Sequence, residues 1–254
     1  MITGNKIKGI LLIGVFSLST TFAATNASAY FADWGFDPDG AGAAPVVNIT
    51  EYLDFISNGT LITNDWTTNT FTETGNFEVD RHDGVKFPDP TPAITATFSA
   101  TGDLVGTTSF TFDSGIANLQ VFDNGGTAIG TFDLLSGGGA LDDSGLGAPN
   151  GIITANFSAN SLLAGYWFAP DGTDLTAWTT TVGSPIITLG FATTNASLLQ
   201  TPPPIYENPD GSGRLVTFGV SNNGQFRLDA VPEPATFVLF GFGLLGLAAY
   251  KRKK

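Results

Sequence analysis

Few residues in this sequence have the types and spacing that chemistry requires. A serine hydrolase needs a nucleophile on a strained turn, a base and an oxyanion site, and the G-x-S-x-G elbow is absent. The sole histidine, His82, is the one candidate base, and it lies in Asp80-Arg81-His82-Asp83-Gly84, whose composition reads as a surface turn. The chain has no cysteine, so zinc sites that combine His and Cys are excluded, and so are disulfides. A glycosidase needs only two carboxylates placed in three dimensions, but nothing singles out one pair among the acids. The expectation is therefore a protein that is not an enzyme, with no catalytic residues to name.

Oxygen-rich loops suggest calcium more than catalysis. Asp37-Pro38-Asp39-Gly40, Asp142-Asp143 and Asp171-Gly172-Thr173-Asp174 carry the hard ligands that calcium prefers, although none completes the D-x-[DN]-x-[DN]-G loop. Asp and Gly are also ordinary turn residues. No cofactor is required, and a structural calcium is the open alternative. Sugar binding would use exposed aromatic faces, and Trp34, Trp66, Trp167 and Trp178 are the residues to inspect. Tyr166-Trp167-Phe168 reads more simply as core.

The elements that would position these groups are strands. Alternation of apolar and polar residues appears in Val47-Asn48-Ile49-Thr50, in Ile94-Thr95-Ala96-Thr97-Phe98 and in Ile152 to Phe157. Phe112-Asp113, Phe122-Asp123 and Phe132-Asp133 recur at ten-residue intervals, with Asp113-Ser114-Gly115 and Asp123-Asn124-Gly125-Gly126 between apolar runs. That pattern predicts three consecutive antiparallel strands over Ser109 to Leu135. Ser136 to Gly151 reads as a polar, Gly-rich stretch, and Leu162 to Phe168 fits either a short helix or a strand. Strands are expected over Pro185 to Ala192, Arg214 to Val220 and Gln225 to Leu228, with Pro202-Pro203-Pro204 extended between the first two. The fold class expected is all-β, an antiparallel β-sandwich or jelly-roll.

Charge narrows the partners. Residues 30–230 hold 22 acidic side chains against four basic ones, Arg81, Lys86, Arg214 and Arg227. Nucleic acid is a poor partner for such a domain. The domain of 30–230 is flanked by two segments of different character. Residues 1–29 place Lys6 and Lys8 before the apolar run Ile10 to Phe16 and end in Ala27-Ser28-Ala29, the order of a signal peptide. Mature protein should begin near Tyr30. Residues 231–254 open with Val231-Pro232-Glu233-Pro234 and continue as the apolar run Ala235 to Tyr250, succeeded at once by Lys251, Arg252, Lys253 and Lys254. Sixteen apolar residues span about 24 Å as a helix, slightly short of a hydrocarbon core of about 30 Å, and snorkelling cations could cover the deficit. A single transmembrane helix is expected, with its four cations as the cytoplasmic topology anchor.

Pro232-Glu233-Pro234, the Gly-rich apolar span and the basic end resemble the PEP-CTERM sorting signal of Gram-negative bacteria. That resemblance implies an exosortase-type processing enzyme as partner, cleavage near Pro232, Glu233 and Pro234, and an inner-membrane-anchored intermediate that reaches the cell surface or extracellular matrix. The segments 129–138, 162–168, 190–197 and 220–228 resemble blocks of the flocculation-associated PEP-CTERM proteins. This second resemblance implies a role in flocculation or biofilm and association with extracellular polysaccharide. An extracellular carbohydrate-binding module or carbohydrate-active enzyme is the alternative.

Overall fold

A computed structural model describes residues 29–30, 33–40, 46–88, 93–106, 109–142, 150–177, 186–199, 201 and 203–231. The strands are β1 (Ala29–Tyr30), β2 (Trp34–Phe36), β3 (Val47–Ile49), β4 (Leu53–Asp65) and β5 (Thr70–His82). Next come β6 (Val85–Lys86), β7 (Ile94–Val105), β8 (Ser109–Phe112), β9 (Gly115–Phe122) and β10 (Ala128–Asp142). The remainder are β11 (Asn150–Leu162), β12 (Trp167–Phe168), β13 (Ile186–Leu198), β14 (Ile205–Tyr206) and β15 (Leu215–Val231).

The expected antiparallel sandwich is observed, and its two sides are one continuous sheet. Pairing runs β4–β5–β7, through β8 and β9 to β10, then β11–β13–β15, and β15 returns to β4. Spatial neighbours are mostly sequence neighbours, a meander of hairpins and short connections closed by its last strand. Closure pairs the edges of these strands and removes the free backbone that an open sheet would present. Period-two alternation then decides which side chains go in. On β5, Phe71, Phe77 and Val79 are buried, while Thr70, Thr72, Thr74, Asn76 and Glu78 face out. The other staves add Phe55, Ile94, Leu119, Phe132, Leu134, Phe157, Phe218 and Phe226 to the same core. The exposed positions on β5 are thus threonine, asparagine, glutamate and arginine, unlike the apolar outer band of a membrane barrel.

Three local expectations are corrected by the pairings. Asp113-Ser114-Gly115 does not reverse the chain, because β8 and β9 both pair with β7 and form one interrupted stave. Asp113 stays beside β7 by donating its N–H to the Thr101 carbonyl at 2.9 Å and accepting from Thr101 Oγ1 at 3.0 Å. The turn after Phe122 does reverse it, with Asp123 Oδ1 accepting from the N–H groups of Gly125 and Thr127. The strands expected over Arg214 to Val220 and Gln225 to Leu228 are one, β15, which begins at Leu215. Asn223 is held between Asn195 of β13 and Ile56 of β4, so Asn223-Gly224 cannot turn. Within the Ser136 to Gly151 stretch, Gly137, Gly138 and Gly139 lie inside β10, squeezed between β8 and β11. A Cβ on Gly138 would sit 2.5 Å from the Phe110 carbonyl oxygen, and one on Gly139 would strike the Ile152 carbonyl oxygen.

A second, three-stranded sheet, β12-β2-β3, packs its aromatic side chains against the main core. Trp34 and Trp167 stack at 6.0 Å between centroids, and Trp167 meets Phe132 of β10 edge-on at 5.9 Å. Leu162 to Phe168 resolves into the end of β11, a turn and β12.

One inward position breaks the apolar rule. Glu73 lies between Phe71 and Gly75 on β5 and is 2 % exposed. Its Oε2 has no hydrogen-bond partner among the described residues. It borders a small void lined otherwise by Phe77, Phe98, Phe112, Leu119, Ile153, Ala155, Phe157 and Phe226. Burial pushes its carboxyl up to about 8, which keeps the proton on at neutral pH.

Candidate functional site

His82, the one candidate base, is committed to a turn. Asp83 and Gly84 join β5 to β6 with φ of 49° and 75°, the paired positive values of a tight hairpin. The His82 ring stacks on Phe87, and its Nδ1 lies 3.2 Å from Asp83 Oδ2. Asp83 in turn gathers the loop before β4. Its oxygens accept from the N–H groups of Thr50 at 2.8 Å, Glu51 at 2.7 Å and Tyr52 at 3.0 Å. Burial works to raise the Asp83 carboxyl, but these three donors with His82 outweigh it and hold it below its usual range. Asp83→Ala should therefore cost about 2 kcal/mol at neutral pH by orphaning those donors. Because the folded pKa is depressed, this stability is present above the unfolded value near 3.8 and is lost as pH falls through the lower folded value. Urea midpoints at pH 7 and pH 3 check it. Equal midpoints for wild type and variant at pH 7 would refute the assignment.

The acidic loops cap turns in the same way. Asp37 Oδ1 accepts from the Asp39 N–H at 3.1 Å, and Asp171 Oδ1 from the Thr173 N–H at 2.9 Å. Asp174 accepts from the N–H groups of Gly165 and Thr176 at 2.7 and 2.9 Å. Among the described residues no three carboxylates converge on a point where a calcium ion would sit. Asp143 lies outside the described residues.

The tryptophans divide. Trp34 and Trp167 are wholly buried. Trp66 is half-buried, with its Nε1 donating to the Leu215 carbonyl at 2.8 Å and one ring face covered by the Arg214 guanidinium at 4.4 Å. Arg214 is fixed there by Glu207, which accepts from its Nε and Nη2 at 2.9 and 2.7 Å. Trp178 lies outside the described residues. None of the three described rings presents two open faces to a ligand.

Polar groups converge instead on the outer face of β4, β5 and β15. Arg81, Asp54 and Gln225 are consecutive partners across these three strands, and Asn223 stands opposite Ile56. With Phe55, Gly84 and Gly224 they line an open groove of about 190 Å³. Sequence reading did not single out this row, because its members come from three distant segments. Bulges in β4 on either side of Ile56 shape the groove.

The two chain ends of the domain meet. Ala29 pairs with Ala230 and Tyr30 with Asp229, antiparallel, so the chain enters β1 and leaves β15 from the same end of the sheet. Val231 is still paired, opposite Ile186. The sorting residues Pro232, Glu233 and Pro234, the apolar span and the cations Lys251, Arg252, Lys253 and Lys254 lie outside the described residues, as do residues 1–28 of the expected signal peptide.

Comparison with known families assigns the segment beyond Val231. Residues 230–253 match the family model of the PEP-CTERM protein-sorting motif. The chain carries a PEP-CTERM sorting motif. This motif marks it for export through exosortase-type sorting, with a C-terminal membrane-anchored intermediate. Neither a curated protein nor a solved structure matched the chain.

Proposed function

We propose that this PEP-CTERM protein is a non-catalytic component of the cell surface or extracellular matrix that helps cells flocculate by associating with extracellular polysaccharide. The sorting motif carries the export half of this reading. Three features support the rest. The outward positions of β5 are hydroxyls, amides and carboxylates, the row on β4, β5 and β15 offers donors and acceptors together, and His82 is occupied in a turn. Among the described residues the groove has a single lining carboxylate, Asp54, which favours binding over a two-carboxylate hydrolysis. The shared exit of β1 and β15 suits a domain held against one membrane from both ends before processing.

Cleavage is expected beyond Val231, since a peptide bond inside a paired strand is closed to a processing enzyme. Replacing Pro232, Glu233 and Pro234 by alanine should leave the protein in the membrane fraction, while wild type is recovered outside the membrane with a C-terminus after Val231 by mass spectrometry. Normal release of the variant would overturn the processing claim. Deletion of the gene should reduce cell aggregation and polysaccharide retention, and unchanged aggregation would overturn the matrix role.

A further inference from the structure

We propose that the groove built by Arg81, Asp54, Gln225 and Asn223 binds neutral, polyhydroxylated sugar units, an inference that rests on the matrix role above and assigns it a site. A guanidinium, a carboxylate and two primary amides stand on adjacent strands. Together they offer donors on Arg81, acceptors on Asp54, and both on Gln225 and Asn223, which is what vicinal hydroxyls require. Ile56, half-buried between the rows, supplies an apolar patch for the C–H face of a sugar ring. Gly84 and Gly224 bring backbone to the groove without side chains to fill it. Its volume of about 190 Å³ lies below the roughly 300–1,000 Å³ of sites for drug-sized ligands, so the groove takes a single unit of a chain at a time.

Asp54 is held for the task. Its Oδ2 accepts from the Gly84 N–H at 3.0 Å, which fixes the carboxylate at the groove wall. Partial burial raises its pKa against the opposing pull of Gly84 and Arg81, so the group sits in a place where a ligand hydroxyl is worth more than in bulk water. Charge selects the class. One cation and one anion line the groove, while 22 acids against four bases on residues 30–230 repel polyanionic chains. A peptide adding itself as a strand is disfavoured, because β4 is paired on both sides here.

The processed wild-type protein should be retarded in affinity electrophoresis by at least one of three neutral polymers, dextran, a β-glucan or mannan, and not by alginate. Asp54→Asn and Gln225→Ala should each weaken that retardation about tenfold or more while leaving the melting temperature within a few degrees. Gln225 is exposed, so its variant tests the site even if Asp54→Asn proves unstable. Retardation by none of the neutral polymers, stronger retardation by alginate, or unchanged affinity in both variants would overturn the proposal. The matrix role is judged separately, by retardation in the host's own extracellular polysaccharide. Wild-type binding there with unchanged variants sinks the groove alone, and no wild-type binding there sinks the matrix role with it.

Discussion

Replacing Glu73 by leucine should make the protein more stable at pH 7, by roughly 3 kcal/mol. In the folded chain burial holds the carboxyl up to about 8, against an ordinary value of 4.5. In the unfolded chain it is ionised at neutral pH, so folding must take up a proton. The folded pKa is the raised one, and the stabilising share of this group is therefore complete below about pH 4.5 and is lost as pH climbs to about 8. The slope between those limits is at most about 1.4 kcal/mol per pH unit. Among the described residues no other titratable group lines the void, so none of them offsets the charge when the proton leaves. Glu73→Gln separates the two costs. It abolishes the titration and flattens the profile, but it keeps an unpartnered polar group in the core, so it should fall short of Glu73→Leu. Urea unfolding of all three proteins from pH 5 to pH 8 is the measurement. A wild-type and Glu73→Gln difference that does not change with pH would show that Glu73 is not buried as an acid. Lower stability of Glu73→Leu at every pH would show that the carboxyl has a partner worth more than its burial costs.

The position of Glu73 was legible, although sequence reading did not use it. Phe71-Thr72-Glu73-Thr74-Gly75-Asn76-Phe77-Glu78-Val79 alternates, and its phase puts Glu73 on the side of Phe71 and Phe77. Strands such as β3, β7 and β11 were legible for the same reason, because period two is a local property. What could not be read locally was pairing. Asn222-Asn223-Gly224 has the composition of a turn, but strands on both sides of β15 hold it extended, and those partners come from residues 53–65 and 186–198. The glycines of β10 look like a loop until β8 and β11 are seen to press on them. The groove is nonlocal in the same way, since Arg81, Asp54 and Gln225 become neighbours only when β15 closes on β4. The sorting motif is the opposite case. Its three parts are contiguous, so it could be read directly, and residues 230–253 match the PEP-CTERM family model.

Trp167→Ala should be among the most damaging single changes in the domain, and it should leave the proposed sugar binding intact in whatever fraction remains folded. The indole is fully buried, and its Nε1 donates to the Ile129 carbonyl at 2.8 Å. It touches Trp34, Phe36 and Phe132 at centroid distances of 6.0, 4.9 and 5.9 Å, so it is the side chain that joins the three-stranded sheet to β10. Truncation removes those contacts, opens a cavity and strands the Ile129 acceptor, at a cost of about 3–5 kcal/mol. Trp167→Phe restores most of the volume without the donor and should recover more than half of that loss. If Trp167 were a sugar platform, the pattern would invert, with binding lost in a protein of nearly normal stability. Urea midpoints alongside polysaccharide retardation, measured at a concentration of denaturant where the alanine variant is still folded, distinguish the two. A midpoint within experimental error of wild type would contradict the core assignment. Loss of binding without loss of stability would make Trp167 part of a sugar-stacking site.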